Sequence, residues 1–219
     1  MCYTTGIVDS TAIKAFFGES FQKLELFDSF LQEEGQLRGL VGPKEMDKIW
    51  ERHILNSAAV AKLVDPAKSK GDVKLLDVGS GAGFPGVVVA CMLPEVRVYL
   101  LDSMLRRVDW LNDVKDRLDL KNVEVVRARA EDAIQSEMLP KMDYVTARAV
   151  APVKRLLPWC MPFLVPGGSL LALKGARVED ELEDAKYKLK KYSDSPVKVH
   201  EVAMPVGLES VKVLEVVRK

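Results

Sequence analysis

One stretch, Leu75-Leu76-Asp77-Val78-Gly79-Ser80-Gly81-Ala82-Gly83-Phe84-Pro85-Gly86, constrains this chain more than any other. Residues 73–78 form a short apolar, β-rich run that contains an acid, and this predicts a buried strand. Four glycines follow within eight residues, and the apolar stretch 87–93 then predicts a helix. Pro85 falls in the first turn of that helix, where a missing N–H costs nothing. A strand, a glycine turn and a helix in this order bring backbone N–H groups and a helix N-terminus up to a bound ligand, and side chains in the turn would block its approach.

Two ligands fit the spacing. Gly81, Gly83 and Gly86 satisfy G-x-G-x-x-G, and Asp102 ends the next strand where a ribose-binding acid belongs, so a nicotinamide-dependent oxidoreductase is one possibility. However, Asp77 stands just before the first glycine, and the resulting D-x-G-x-G-x-G resembles S-adenosylmethionine-dependent methyltransferases. Leu164-Val165-Pro166-Gly167-Gly168-Ser169-Leu170 resembles the L-x-P-G-G turn that leads into their fifth strand. The two signals together favour S-adenosylmethionine as cofactor over a purely structural turn.

From residue 73 onward, strands and helices alternate, which predicts a doubly wound sheet. Strands are expected over 73–78, 96–101, 123–128, 142–147 and 169–173, with helices over 104–118, 153–163 and 177–192. The alternating runs 197–204 and 210–217, joined by Pro205 and Gly207, predict a closing antiparallel hairpin. The expected fold is therefore α/β, a Rossmann-like methyltransferase fold with a seven-stranded, mostly parallel sheet. Ahead of it, one or two helices over 10–32, a glycine-broken loop and a helix over 43–64 make a small helical extension. The expected division is residues 1–64 as an extension packed on the core and 65–219 as the methyltransferase domain.

Composition sets outer limits. Hydrophobic residues make up 48% of the 219, enough for a full core, and no apolar run reaches the length of a membrane span. Cys2, Cys91 and Cys160 are scattered, without a C-x-x-C pair, and only His53 and His200 could join them as ligands, so no metal site is expected. With no basic-then-apolar leader, a cytoplasmic monomer with reduced thiols is the expectation. The charge balance of 32 basic and 32 acidic residues does not advertise nucleic-acid binding, so contact with RNA must come from a local basic face.

Ligands in open α/β sheets bind beyond the carboxyl ends of the strands, which gathers residues 77–83, Asp102, Ala130, Glu131, Arg148 and Lys174. Asp102 is suited to accept hydrogen bonds from ribose hydroxyls, or alternatively to cap the helix that follows. Ala130 and Glu131 lie where an adenine edge would be met, although Glu131 equally suits a helix start. Arg148 and Lys174, with Arg129, Lys154, Arg155 and Arg177 nearby, suggest a basic rim for a phosphate-bearing substrate. His53 sits one turn from Trp50 on a helix and reads equally as a packing residue. After the fourth strand stands Ala147-Arg148-Ala149-Val150-Ala151-Pro152, not the Asn/Asp-Pro-Pro-aromatic motif of amino-nitrogen methylases. No cysteine falls where a covalent nucleophile would be needed. An acceptor with its own lone pair remains, such as guanine N7, which needs only in-line alignment and exclusion of water.

The combination of motifs resembles one family closely: the bacterial small-subunit ribosomal RNA guanine-N7 methyltransferases, also called glucose-inhibited division protein B. The matching pieces are Arg52-His53-Ile54-Leu55-Asn56-Ser57, the run Asp77 to Gly86, Leu100-Leu101-Asp102-Ser103 with Arg106-Arg107-Val108, Arg129-Ala130-Glu131, Ala147-Arg148-Ala149 and Ala172-Leu173-Lys174-Gly175. The resemblance implies cofactor contacts at Gly79, Phe84, Ala130, Glu131 and Arg148. It also implies substrate-side roles for His53 and Lys174, and 7-methylguanosine in the decoding-region loop of 16S rRNA, free or in the small ribosomal subunit, as the product. Where the family often has a Trp-Asn…Asn-Leu-Thr stretch, this chain has Glu34-Gly35-Gln36-Leu37-Arg38-Gly39-Leu40, so the family's N-terminal RNA contacts are not carried over. Methylation of a small metabolite or a protein is the alternative within the same chemistry.

Overall fold

The computed structural model describes residues 10–69, 71–205 and 208–219; Cys2 and Gly207 lie outside the described residues. Helices α1 (Ser10–Phe17) and α2 (Phe21–Phe30) come first. The expected single helix over 43–64 is instead wound three ways. A 3-10 segment covers Pro43–Lys48, a π segment covers Ile49–Ile54, and α3 covers Leu55–Ala61. Packing accounts for the difference. The wider π turn absorbs an extra residue, so that Ile49, Ile54 and Leu55 all reach the core while His53 is held by other partners.

The remaining elements are β1 (Lys74–Val78), α4 (Gly86–Met92), β2 (Arg97–Asp102), α5 (Leu105–Arg117), β3 (Val123–Arg127) and α6 (Ala130–Gln135). They continue with β4 (Met142–Arg148), α7 (Val153–Cys160), β5 (Leu164–Leu173), α8 (Val178–Tyr192), β6 (Lys198–Val202) and β7 (Val211–Val217). The sheet order is β3-β2-β1-β4-β5-β7-β6. The first five strands run parallel, and β7 pairs antiparallel with both β5 and β6. This is the expected mostly parallel sheet with its antiparallel hairpin.

The strands show the period of two that a sheet buried on both faces requires. Leu75, Val98 and Leu100 face one apolar layer, while Leu76, Tyr99 and Leu101 face the other. The first layer is shared with α3, α4, α5 and the N-terminal helices, through Ile13, Phe17, Leu24, Phe27, Ile54 and Ala58. The second holds α7 and α8, through Val153, Leu157, Val178 and Ala185. Helix α8 buries Val178, Ala185 and Leu189 and exposes its charges, acidic in the first turn and basic in the last, as its dipole favours.

β5 starts earlier than expected, at Leu164 instead of Ser169. Its Pro166-Gly167-Gly168 turn sits inside the strand as an irregularity, because the register with β4 jumps from Met142↔Leu164 to Tyr144↔Ser169. Gly167 takes φ +77°, and a Cβ on Gly168 would stand 3.0 Å from the Asp143 carbonyl. Glycine is needed at both positions. Among the described residues, no helix is long and apolar enough to cross a membrane.

Candidate active site

The chain leaves β1 for α4 in one apolar layer and leaves β4 for α7 in the other. A crevice therefore opens between the carboxyl ends of these adjacent strands, at the topological switch. Gly79, Ser80, Gly81, Ala82 and Phe84 form one wall and Ala149-Val150 the other. Ala149 takes φ +54°, a left-handed conformation that strains an alanine and that turns the chain sharply after Arg148.

The turn was expected to offer backbone N–H groups to a ligand. Instead it spends them internally. Gly79 and Ser80 N–H donate to the Leu101 carbonyl at 2.8 and 3.1 Å, and Gly83 and Phe84 N–H donate to the Ser80 carbonyl at 2.8 and 3.2 Å. Gly81 N–H donates to Asp102 Oδ2 and Gly86 N–H to Asp77 Oδ2, each at 3.0 Å. Trp110 Nε1–H fixes the turn from below by donating to the Ala82 carbonyl at 2.9 Å. A pyrophosphate needs free N–H groups at the helix N-terminus. Those of Gly86 and Val87 are taken, by Asp77 and by the Gly83 carbonyl, which speaks against the dinucleotide alternative. What the glycines supply is space. Gly79, Gly81 and Gly83 have φ of +74°, +58° and +109°, and a Cβ on Gly79 would stand 3.0 Å from Val150.

The crevice is a cavity of about 440 Å³ reached by Gly79, Gly81, Phe84, Arg107, Arg148 and Val150. That volume suits a nucleoside-sized ligand. Arg107 Nε is a buried donor without a hydrogen-bond partner, so the cavity wall retains polar capacity for a ligand. Asp102, 3% exposed, accepts from Gly81 N–H at 3.0 Å, from Met104 N–H at 2.9 Å and from Arg107 Nη1 at 3.4 Å. The Met104 contact is a turn that leads into α5 and not the expected helix cap, and of the roughly four acceptor sites of a carboxylate one remains for a ribose hydroxyl. Asp77 is fully buried; its Oδ1 has no partner, and burial lifts its carboxyl to about 7. These residues fit a nucleoside cofactor such as S-adenosylmethionine.

At the rim, His53 and Arg148 meet although they stand 95 positions apart in the chain. Arg148 Nη2 donates to His53 Nδ1 in a short hydrogen bond, and Nη1 lies 3.5 Å from the His53 carbonyl. Guanidinium has no acceptor, so His53 carries its proton on Nε2. The His53 ring lies 5.1 Å from the Phe84 ring, and the Arg148 guanidinium sits 5.5 Å over it. Burial, and then the Arg148 charge, hold His53 down to about 4, so it is neutral at pH 7. Burial also lowers Arg148 to about 10, still charged at that pH.

Arg148 also lines a second, larger cavity of about 800 Å³ with Arg52, Asn56, Lys174 and Lys212. Lys174 is only 9% exposed and is committed to Glu181 Oε2 at 2.8 Å and the Ala151 carbonyl at 2.9 Å. Ala130 and Glu131 begin α6 beyond β3 and line neither cavity. Sequence reasoning passed over Glu45, which lines both cavities, and Arg107 and Val150, which line the first. Only Arg107 left a signal, since it lies one helical turn after Asp102. Cys91 and Cys160 are buried free thiols, and burial pushes Cys91 up to about 12 and Cys160 higher still. Neither serves as a nucleophile. Among the described residues, no group of three His, Cys, Asp or Glu is placed to hold a metal.

His53 and Asp77 tie stability to pH in opposite directions. His53, near 4 folded against 6.5 unfolded, stays neutral where the unfolded chain takes up a proton. Its contribution is complete above pH 6.5 and is lost as pH falls toward 4. Asp77, near 7 folded against 3.8 unfolded, contributes fully below 3.8 and loses that contribution as pH rises through 7. His53→Gln removes the first dependence alone. The stability gap between wild type and this variant, followed by urea unfolding, is expected to narrow by up to about 3 kcal/mol from pH 7 to pH 4. A pH-independent gap would rule out a neutral, buried His53.

Comparison with known proteins agrees with this architecture. The family model described as rRNA small subunit methyltransferase G matches residues 20–207. The ribosomal RNA small subunit methyltransferase G of Thermobifida fusca is 45% identical over 186 residues, covering 85% of this chain and 75% of its own. That of Beutenbergia cavernae is 41% identical over 210 residues, covering 96% and 95%. Among solved structures, precorrin-6y C5,15-methyltransferase from Geobacter metallireducens GS-15 has a TM-score of 0.54 at 18% identity, over 82% of this chain and 91% of that one, a likeness of fold. The chain belongs to the rRNA small subunit methyltransferase G family.

Proposed function

We propose that this protein transfers a methyl group from S-adenosylmethionine to N7 of a guanine in 16S rRNA, free or in the small ribosomal subunit, as a cytoplasmic monomer. The observation that carries the proposal is the junction of two cavities at Arg148, one walled by the glycine turn and the other open to a larger substrate. The relatives named as ribosomal RNA small subunit methyltransferases support the substrate class.

S-adenosylmethionine, when bound, supplies an electrophilic methyl group. Gly79 and Gly81 leave room for it, Gly83 lets Val87 and Phe27 pack closely behind the turn, Phe84 provides an apolar wall, and Asp77 and Asp102 hold the turn in place. Asp102 retains acceptor capacity for the ribose, and Ala130 and Glu131, at the start of α6 and outside both cavities, are assigned to the adenine side on the family resemblance. Arg148, held by His53, stands where the acceptor base enters. Arg52 and Lys212 supply positive charge in the second cavity toward the RNA backbone, and Lys174, already paired with Glu181, is assigned to the same substrate side. Guanine N7 attacks with its own lone pair and loses no proton. A buried, neutral His53 whose Nδ1 is already occupied suits that reaction, because no general base is required. In the same proposal, residues 1–64 are an extension that completes the cofactor wall, since Phe27 packs 5.2 Å from Phe84.

The test is to incubate the protein with isotopically labelled S-adenosylmethionine and small subunits from cells lacking the gene, then to identify the labelled nucleoside by mass spectrometry. Label in 7-methylguanosine at a single site is expected. Unlabelled RNA alongside demonstrated cofactor binding would move the assignment to a metabolite or protein substrate.

A further inference from the structure

Among the described residues, Glu45 is the one acid that lines both cavities, and it shares that position with Arg148. Glu51 and Glu209 line only the larger cavity. The Glu45 carboxylate is lightly committed. Its Oε2 lies 3.3 Å from His53 Nε2, which nonetheless has no hydrogen-bond partner, so the pair is close but misaligned. Its Oε1 lies 3.5 Å from Arg52 Nη1, and the side chain is 36% exposed. A partly open acceptor therefore stands, beside a guanidinium, at the passage between the cavity for the methyl donor and the cavity for the substrate.

We propose that Glu45 reads the base, accepting hydrogen bonds from N1–H and the N2 amino group of the target guanine. The inference rests on the guanine assignment above. Guanine presents these two donors side by side, in a pattern that two carboxylate oxygens match. Adenine presents an acceptor at N1 and is repelled. The same contact favours the reaction itself. As the N7–methyl bond forms and the carbon–sulfur bond breaks, its electron pair stays on sulfur and the positive charge passes to the guanine ring. No proton leaves. N1–H of the cationic ring is a stronger donor, so its bond to Glu45 tightens along the reaction and stabilises the transition state more than the ground state.

The test uses small subunits reconstituted with 16S rRNA carrying either guanosine or inosine at the methylated position; inosine lacks only the N2 amino group. Wild type is expected to lose about tenfold in kcat/KM on inosine. Glu45→Gln is expected to lose about 10- to 100-fold on guanosine and to treat the two substrates alike within about twofold, with cofactor Kd and thermal unfolding unchanged. Glu45→Asp, which keeps the carboxylate, is expected to be slower yet to retain the preference for guanosine. A wild type that methylates inosine as fast as guanosine would overturn the inference without any variant. So would a Glu45→Gln that loses the same factor on both substrates, as a purely structural role predicts. No transfer to guanosine by wild type would overturn the guanine assignment and this inference with it, whereas transfer with no inosine penalty overturns the inference alone.

Discussion

Gly86→Ala is expected to destabilise the protein by about 3 kcal/mol or more and to abolish cofactor binding, because the added methyl group has no room. A Cβ at this position would stand 2.3 Å from Leu100 Cδ2, 2.7 Å from Asp77 Oδ2 and 2.9 Å from Asp77 Cβ. Leu100 and Asp77 are both fully buried, so neither can swing aside. Relief requires α4 to lift off β1 and β2, which pulls Gly86 N–H away from Asp77 Oδ2 and leaves a buried acid with neither oxygen paired. Overpacking of a dense core costs about 1–3 kcal/mol, and the orphaned acceptor adds about as much. In a domain of this size that corresponds to a fall in Tm of about 10 °C. Gly71→Ala is the control, since its added Cβ meets nothing within 4 Å, and it is expected to be silent within about 0.5 kcal/mol. Thermal unfolding with and without S-adenosylmethionine reads both effects. A Gly86→Ala protein melting within two or three degrees of wild type would show that the helix accommodates the methyl group and that this contact does not hold the turn.

Gly86 also marks where sequence reasoning succeeds and where it stops. Strand, turn and helix were legible because apolar runs alternate with glycine breaks, and because only glycine suits the positive φ at Gly79, Gly81 and Gly83. The carboxyl-end positions of Asp102 and Arg148 followed from strand order alone. The fate of the turn's N–H groups did not follow. Asp77 reaches forward nine residues to Gly86, and Asp102 reaches back 21 to Gly81. Such side-chain bonds compete with a ligand for the same donors and leave no periodic trace. The His53–Arg148 pair was invisible as a pair for the same reason: the two stand 95 positions apart in the chain, and each residue alone reads as surface or packing. Glu45 was passed over because an acid in a first helical turn is ordinary, and only its place between two cavities sets it apart. The early start of β5 escaped because a Pro-Gly-Gly turn normally ends a strand, whereas here the neighbouring β4 and the Arg218 carbonyl hold it in the sheet.

Arg148→Ala is expected to lower kcat/KM for methyl transfer by about 100-fold or more while leaving the fold intact. Arg148 stands at the junction of the two cavities, with one edge on His53 Nδ1 and its face over Phe84, so its removal unties both walls at the point where base and methyl group must align. Stability responds less, because two effects oppose each other. Burying a guanidinium carries a desolvation cost that alanine avoids, but His53 Nδ1 is then left without a donor, at about 1–3 kcal/mol. A Tm change of only a few degrees is expected. A second readout separates this account from simple loss of packing. The Arg148 charge is one cause of the low His53 pKa, so its removal is expected to move His53 upward from about 4 while burial keeps it below 6.5, as followed by NMR titration. Arg148→Lys keeps the charge but not the planar fork, and is expected to hold His53 low while still losing most of the methyl-transfer rate. An Arg148→Ala protein with full activity would place the reacting base elsewhere, and an unmoved His53 titration would show that the two side chains do not meet in solution. The combination of lost turnover, a small stability change and a raised His53 is what the geometry requires, since one guanidinium both orders the entrance to the site and keeps its histidine neutral.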